Sequence, residues 1–369
     1  MNSNIKSCFR YILLVSLCAS LFLSCGQKPD KTIEIRGIYG NPKPFWDKDI
    51  KLNTLGINAI FVHSGSITHD MVNRARSEES MVFAEFATLN GTNYVENHPE
   101  AWAINDKGEK VQPAAWFMGV CPTEPGFRQY RFDELRDLLM KYDLNGIWMD
   151  YVHWHAQFEE PEPILPETCF CDHCLHDFSE YANIEIPDGA TSMKALWILN
   201  NHDKSWRDWR CKVIYDWTYE IKSIIRELKP EVLLGLYHCP WTDHEFDGAR
   251  RRILGLDYDL LKETIDVFSP MVYHERMGRE PNWVKENIHW LSDRLNIEEA
   301  TYPKIWPIVQ AHNSPGIISS AEFETVMKGA LAGKSTGVMM FTTSAVAEDE
   351  GKIEVMKNMY TKPLGKSAK

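Results

Sequence analysis

The sequence predicts a single α/β domain folded as a (β/α)8 barrel, the TIM barrel, with a long cysteine-containing insertion after the fourth strand. Short apolar runs alternate about eight times with stretches whose apolar residues recur at helical spacing. The strand runs are apolar throughout, as expected for parallel strands that are buried on both faces. No linker rich in Pro, Gly or Ser divides the chain of 369 residues. We therefore predict one domain, 32–362.

The alternative fold is an open doubly wound sheet, which would show a glycine-rich phosphate-binding turn after its first strand. The first strand is instead followed by Tyr39-Gly-Asn-Pro-Lys-Pro, which lacks that pattern. The barrel is favoured, and no organic cofactor is expected. The predicted strands are 33–39, 57–62, 81–86, 146–151, 232–237, 267–273, 305–310 and 337–342. The predicted helices include 128–142, 206–228, 283–295 and 321–332.

The N-terminal segment 1–24 has the pattern of a bacterial export signal. Lys6 and Arg10 precede an apolar run, 11–23, that is too short to span a bilayer comfortably. The stretch Phe22-Leu-Ser-Cys25-Gly resembles a lipobox, which implies that Cys25 becomes the lipidated first residue of the mature chain. An ordinary cleaved signal is the alternative. Residues 25–31 would form a polar tether, and the domain would face the periplasm or the cell surface from a lipid anchor, as in outer-membrane lipoproteins.

The charge and the aromatic content narrow the class of partner. The chain has 40 Lys plus Arg against 52 Asp plus Glu, a net charge of -12, and no basic run that could follow a phosphate backbone. Nucleic acid is therefore not an expected partner. The 13 Trp, 14 Tyr and 16 Phe suit stacking on sugar rings, although they suit core packing equally well.

Polar and aromatic residues gather where the predicted strands end, which is the edge that carries the chemistry of a (β/α)8 barrel. Flat apolar faces, hydrogen-bonding groups and acids at one rim are what a carbohydrate site requires. Singly, each such residue is explained as well by an ordinary hydrogen-bonded place at the rim. The residues expected to bind a sugar are His63, Glu85, Tyr151, His153, Trp154, Tyr237, His238, Tyr273, His274 and Gln310.

Hydrolysis of a glycosidic bond requires one carboxylic acid and one carboxylate in the same cavity. Asp150 is the first candidate because it ends an apolar strand, although it could instead cap the next loop or form a salt bridge. Glu275, at the end of the sixth strand, is predicted as its partner acid. Glu85 is the next candidate, and Glu159 and Glu160 could approach from the loop after the fourth strand.

The run Leu144-Asn-Gly-Ile-Trp-Met-Asp150-Tyr resembles the fourth strand of several barrel glycoside hydrolases, including α-L-fucosidase-like enzymes. That resemblance implies that Asp150 is the nucleophile. Barrel hydrolases with a Glu at both the fourth and the seventh strand are disfavoured, because the seventh strand ends in the neutral amide of Gln310.

Four cysteines are predicted to bind one metal ion. Cys169, Cys171 and Cys174 lie within six residues, and Cys121 follows the third strand, so the two loops would meet above the barrel. Four thiolates suit a structural zinc site with no open position. Disulfides are the alternative, because an exported chain meets oxidising conditions.

The stretch Gly119-Val-Cys121-Pro, followed by Cys169-Phe-Cys-Asp-His-Cys174, resembles the zinc-binding insertion of glycoside hydrolase family 42, the bacterial β-galactosidases. The resemblance covers 119–210. The Asn-Glu pair that this family carries after its fourth strand is replaced here by Met149-Asp150-Tyr151. The sequence thus predicts a divergent exported glycoside hydrolase that cleaves oligo- or polysaccharides with two carboxyl groups. The alternatives are an inactive surface lipoprotein that binds glycans and, less favoured, a lyase or esterase.

Overall fold

All neighbouring strands are parallel, and they close into a barrel. The strands are β1 (Ile35–Tyr39), β2 (Ala59–His63), β3 (Met81–Ala87), β4 (Gly146–Asp150), β5 (Leu233–His238), β6 (Val267–Val272), β7 (Lys304–Ile305), β8 (Ile308–Gln310) and β9 (Gly337–Phe341). The computed structural model describes residues 33–114, 116–298 and 301–362. The strand order is β5-β4-β3-β2-β1-β9-β8-β6-β7, and a further pairing of β5 with β6 closes the sheet.

Two of the nine strands share one position of the barrel. Both β7 and β8 pair with β6, and Pro307 lies between them. Proline has no N–H to donate, so the ladder is interrupted at this residue. The barrel therefore has the eight positions that the sequence predicts, and each predicted strand overlaps an observed one.

Aromatic side chains fill the interior of the barrel. Trp148 stacks on Trp306 with ring centroids 5.5 Å apart, and Phe61 stacks on Phe83 at 4.6 Å. Glycine on a neighbouring strand makes the room, because a Cβ on Gly235 would lie only 2.1 Å from the Trp148 ring. We call this packed layer the aromatic floor. The residues at the carboxyl ends of the strands lie directly above it.

Side chains alternate between the inside of the barrel and the surrounding helices. Trp148 points inward, and so does Asp150, two residues further along β4. Gly235 faces the Trp148 ring, and Tyr237 therefore points inward as well. The alternation decides which residues at the strand ends can reach a common cavity.

The helices pack around the barrel. They are α1 (Lys43–Trp46), α2 (His69–Ser77), α3 (Thr92–Val95), α4 (Pro125–Lys141), α5 (Asp172–Ala182), α6 (Thr191–Asn201), α7 (Asp203–Leu228), α8 (Ala249–Arg252), α9 (Tyr258–Leu261), α10 (Trp283–Arg294), α11 (Ser320–Ala330), α12 (Thr343–Ala347) and α13 (Glu350–Thr361). Three short 3-10 helices, Leu52–Leu55, Ser64–Ser66 and Pro99–Ala101, lie in loops. The four predicted helices are present, with ends shifted by up to three residues.

Among the described residues, none of the helices combines the length and the apolar character needed to cross a bilayer. The predicted export signal 1–24, the lipidated Cys25 and the tether 25–31 lie outside the described residues.

Candidate functional site

A cavity of about 260 Å³ lies at the carboxyl ends of the strands, above the aromatic floor. Six strands and the loops after β3, β4 and β6 contribute to its wall. The lining residues are Tyr39, Trp116, Asp150, Tyr151, Glu159, Tyr237, Met271, Tyr273, Arg276, Ile308 and Phe341. Two carboxyl groups, one guanidinium and several aromatic rings therefore face the same space.

Asp150 ends β4 and is held in place by the turn that follows. The backbone N–H of Tyr151 donates to Asp150 Oδ1 at 2.8 Å, and Tyr151 adopts the left-handed conformation with φ 56°. Burial raises the pKa of Asp150 well above its usual value, and the negative charge of Glu85 raises it further. Asp150 therefore tends to keep its proton in the folded protein.

Glu85 points inward from β3 and is 3% exposed. The Tyr39 hydroxyl donates a hydrogen bond to Glu85 Oε2. Burial raises the pKa of Glu85, whereas the hydrogen bond from Tyr39 and the nearby His63 lower it. The net effect is a raised pKa for Glu85, and the negative charge of ionised Glu85 favours the protonated form of Asp150.

Glu159 reaches the cavity from the loop after β4. Its Oε2 lies 3.0 Å from Arg276 Nη1, and Arg276 also lies 3.5 Å from Glu160. Burial raises the pKa of Glu159 above its usual value, and the Arg276 guanidinium offsets part of that shift. Unlike Asp150, Glu159 has a cation as its closest charged neighbour, so it is the better stabilised of the two as a carboxylate.

Arg276 joins three parts of the cavity wall. Its backbone N–H donates to Gln310 Oε1 at 3.0 Å, which fixes the start of the loop after β6. Its guanidinium lies 4.7 Å from the centroid of the Trp116 ring, within the range of a cation–π contact. Trp116 is 44% exposed at the mouth of the cavity. Gln310 is buried and contacts the backbone of Arg276 rather than the cavity.

Tyrosines form much of the remaining wall. The Tyr151 ring stacks on Phe117 at 4.9 Å, and the Tyr273 ring lies 5.3 Å from Phe341. Burial raises the pKa of Tyr237 and of Tyr273 well above the usual value, so both keep their hydroxyl protons. Of the predicted sugar-binding residues, Tyr151, Tyr237 and Tyr273 face this cavity, and Glu85 lies beside it.

Glu275 is absent from the lining of this cavity. Its carboxylate lies against the loop after β8, where a Cβ added to Gly316 would come 2.2 Å from Glu275 Oε1. The structure therefore does not bring Glu275 and Asp150 together, contrary to the sequence-based expectation. The group that shares the cavity with Asp150 is Glu159.

Three other predicted residues point away from the cavity, which corrects their expected contact with sugar. The Trp154 indole N–H donates to the carbonyl of Arg210 on α7 at 3.0 Å, behind the barrel wall. His238 is hydrogen-bonded to Tyr258 of α9 at 3.0 Å. The His274 side chain bonds to a carboxylate of α11 at 2.9 Å. His238 and His274 each follow an inward-facing tyrosine, so the strand alternation turns them outward.

His153 and His63 lie at the margins of the site. His153 lines a small pocket of about 20 Å³ whose lining also includes Asp150. Burial lowers the pKa of His153 to about 4. It is therefore neutral at pH 7. His63 has an exposed side chain, and its Nδ1 accepts from the Gly65 N–H at 3.1 Å.

Sequence reasoning missed Tyr39, Trp116 and Arg276. Tyr39 ends β1, so the rule used for the other strand ends would have found it. Trp116 and Arg276 belong to loops, where no periodicity indicates which side chains point toward a cavity. Glu159 was a secondary candidate for the same reason.

Cys121, Cys169, Cys171 and Cys174 form a second site. Their sulfur atoms all lie within 4.8 Å of one another. Cys121 Sγ is 3.3 Å from Cys174 Sγ and 3.6 Å from Cys171 Sγ. All six described cysteines are free thiols. Four converging thiols with three of them buried could hold a metal ion, which agrees with the predicted ligand set.

The cysteine cluster is built by the loops that also line the cavity. Cys171 caps α5, since its Sγ accepts from the Cys174 N–H at 3.4 Å. The Ile104 N–H donates to Cys169 Sγ at 3.3 Å, which joins the loop after β3 to the loop after β4. The same two loops carry Trp116 and Glu159.

Comparison with known proteins shows the fold. No protein-family model matches the sequence, and none of the curated proteins matches it. Among solved structures, the chain is similar to the PgaB (BpsB) glycoside hydrolase domain from Bordetella bronchiseptica, with a TM-score of 0.65, 10% identity, and 90% of this chain and 99% of that one covered.

The chain is also similar to the β-galactosidase from the psychrophilic Marinomonas ef1, with a TM-score of 0.63, 11% identity, 88% of this chain and 58% of that one. A catalytic mutant of Gan42B, a GH42 β-galactosidase from G. stearothermophilus, gives a TM-score of 0.60 at 14% identity, with coverage of 90% and 58%. The chain thus spans little more than half of these β-galactosidases. Its structural neighbours are glycoside hydrolases, and it shares their (β/α)8 fold.

Proposed function

We propose that this protein is a glycoside hydrolase that cleaves an oligo- or polysaccharide with Asp150 as the general acid and Glu159 as the carboxylate. The observation that carries the proposal is that Asp150 and Glu159 line one cavity at the carboxyl ends of the barrel strands. The glycoside hydrolases among the structural neighbours support the same class of reaction.

The environment of Asp150 suits a proton donor. Its pKa is raised by burial and by Glu85, which keeps a carboxylic acid available for the glycosidic oxygen. As the proton moves to that oxygen, the bond to the anomeric carbon breaks and its electron pair passes to the leaving group. This role differs from that of nucleophile, which the sequence resemblance implied for Asp150.

Glu159 supplies the negative charge. Positive charge develops on the sugar ring as the bond breaks, and a carboxylate that faces the ring either stabilises it by attack or activates a water molecule. Arg276 favours the ionised form of Glu159 and holds it at 3.0 Å. Tyr151, Tyr237 and Tyr273 offer ring faces and hydroxyl donors to the bound sugar.

We further propose that the four cysteines bind a structural zinc ion. Four thiolates leave no open coordination position. The metal would therefore hold the loops together and would take no part in the reaction of the substrate. Export through the signal 1–24 and anchoring through lipidated Cys25 are proposed from the sequence alone; they would place the enzyme where extracellular glycans are degraded.

The test is turnover of a panel of 4-nitrophenyl glycosides and natural oligosaccharides by the purified domain. For a substrate that is cleaved, Asp150→Asn should lower kcat by about 10³-fold, within the range for removal of a general acid. The matched control is Asp143→Asn at the opposite end of β4, where the carboxylate pairs with Arg76 at 2.5 Å. Full activity in Asp150→Asn would refute the assignment. Glycan binding without turnover by the wild type would favour the inactive binding protein.

A further inference from the structure

The loops that form the wall of the cavity are much longer on one side than on the other. The loop after β3 runs over 37 residues, 88–124, and the loop after β4 over 21 residues, 151–171. On the opposite side, only residues 40–42 separate β1 from α1, and only Thr342 separates β9 from α12. A chain that is longer than the cavity can therefore leave it over the ends of β1 and β9.

Two grooves lie on that low side, and both are lined by residues that directly follow cavity-lining residues in the chain. One, of about 330 Å³, is lined by Gly40, Asn41, Thr342 and Ser344 among others. Gly40 and Thr342 directly follow Tyr39 and Phe341, which line the cavity.

The other groove, of about 480 Å³, shares Thr342 and Ser344 with the first. It also includes His312, whose ring lies 5.1 Å from Phe341. Both grooves are open to solvent, and their volumes are about 330 and 480 Å³.

The charges in the grooves disfavour an anionic ligand. Lys43 is paired with Asp47, with Nζ 2.7 Å from Oδ1. The second groove carries Glu348 and Asp349. Burial lowers the pKa of His312, so it adds no positive charge at neutral pH. Hydroxyl and amide groups remain as partners, and these bind sugar hydroxyls.

We infer that the ridge Thr342–Ser344 and its two grooves bind the sugar units of a neutral oligosaccharide that extend beyond the unit held in the cavity. This inference rests on the proposed function for the identity of the ligand as a glycan. It implies that the substrate is a chain of several units rather than a simple glycoside. It also implies that affinity increases with chain length.

The experiment measures binding in a protein that does not turn the ligand over. Asp150→Asn is titrated by calorimetry with gluco-, galacto-, manno-, xylo- and N-acetylglucosamine oligosaccharides of one to four units. We expect Kd in at least one series to fall by about tenfold or more between one and three units. Oligogalacturonides of equal length should bind at least about tenfold more weakly, because the grooves carry an excess of acidic groups.

A second substitution locates the added affinity. Adding Ser344→Trp to Asp150→Asn should fill the space that both grooves share and remove the gain with chain length. The matched control is Ser77→Trp, because Ser77 ends α2 at the opposite end of the barrel; it should keep the gain. Affinity independent of length in every series, or an undiminished gain in the Ser344→Trp protein, would overturn the inference. Failure of the proposed function would appear separately, as absence of turnover by the wild type.

Discussion

Strands β3 and β4, with the segments that follow them, build two clusters of titratable groups that differ in how they tolerate burial. One cluster comprises Asp150, Glu159 and nearby Glu85, beside an open cavity. The other comprises four cysteines whose sulfur atoms lie within 4.8 Å of one another. Several anions cannot be buried together without compensation. The carboxylates are compensated by a retained proton and by Arg276, whereas four thiols at this spacing suit compensation by a metal ion.

Neighbouring segments of the chain thus carry a candidate chemical site and a candidate structural site. In the proposed mechanism the carboxyl groups stay reactive, because their compensation is partial and they line an open cavity. The cysteines would be inert because a bound metal satisfies all four.

Removing one thiol should dismantle the metal site. We expect Cys174→Ser to eliminate bound zinc, measured by elemental analysis after purification without chelators. It should also lower the free energy of unfolding by about 3 kcal/mol or more, because metal binding contributes to folding. The control is Cys211→Ser, a buried cysteine outside the cluster, which should retain the metal. Wild-type protein without metal and with thiols paired as disulfides would show that the zinc proposal is wrong.

Glu159→Gln tests the role of the Glu159 carboxylate in the cavity. The amide keeps the shape but cannot carry the negative charge that the transition state requires, so kcat should fall by about 10²- to 10³-fold. Zinc content and melting temperature should stay close to those of the wild type. Glu160→Gln is the control, because Glu160 also pairs with Arg276, at 3.5 Å, yet does not line the cavity. Equal losses in the two variants would indicate that only the Arg276 contact matters.

The sequence predicts the barrel well because its strands are apolar runs that end in polar residues. The same rule finds Asp150, Tyr237 and Tyr273. The rule wrongly assigns His238 and His274, which each follow one of these tyrosines, to the cavity. Composition at a strand end does not reveal which face of the strand a side chain occupies. The alternation of side chains along β5, which includes His238, and along β6, continued two residues past its end to His274, would have placed both histidines outside the cavity.

Loop residues set the other limit on prediction. Glu159, Trp116 and Arg276 are brought together by an ion pair and a cation–π contact between three loops. Such contacts join residues that are far apart in the chain and leave no periodic signal. The cysteines are the exception, because their close spacing is itself a constraint that predicts convergence.

Glu85→Gln tests how the negative charge of Glu85 affects the pKa of Asp150. If Asp150 is the general acid, activity falls as pH rises through its pKa, since only the protonated form acts. Because Glu85 raises that pKa, its neutralisation should move the descending limb of kcat against pH toward lower pH by about one unit. Glu78→Gln is a control with a buried carboxylate at the other end of the barrel. A shift toward higher pH would contradict the proposed role of Glu85.

Tyr39→Phe should change the pKa of Asp150 in the same direction as Glu85→Gln, but by a smaller amount. The hydroxyl of Tyr39 lowers the pKa of Glu85 by donating a hydrogen bond to it. Without that bond the pKa of Glu85 rises, so a larger fraction of Glu85 is protonated at a given pH and the electrostatic effect on Asp150 weakens. The descending limb should therefore move in the same direction as in Glu85→Gln, by less than about half a unit.

The comparison variant is Tyr237→Phe, whose hydroxyl contacts Met339 Sδ at 3.3 Å rather than a carboxylate and which should leave the limb in place. In the double variant Tyr39→Phe, Glu85→Gln the limb should lie where Glu85→Gln alone puts it, because the tyrosine acts only through the Glu85 charge. Additive shifts would instead mean that Tyr39 acts on Asp150 directly.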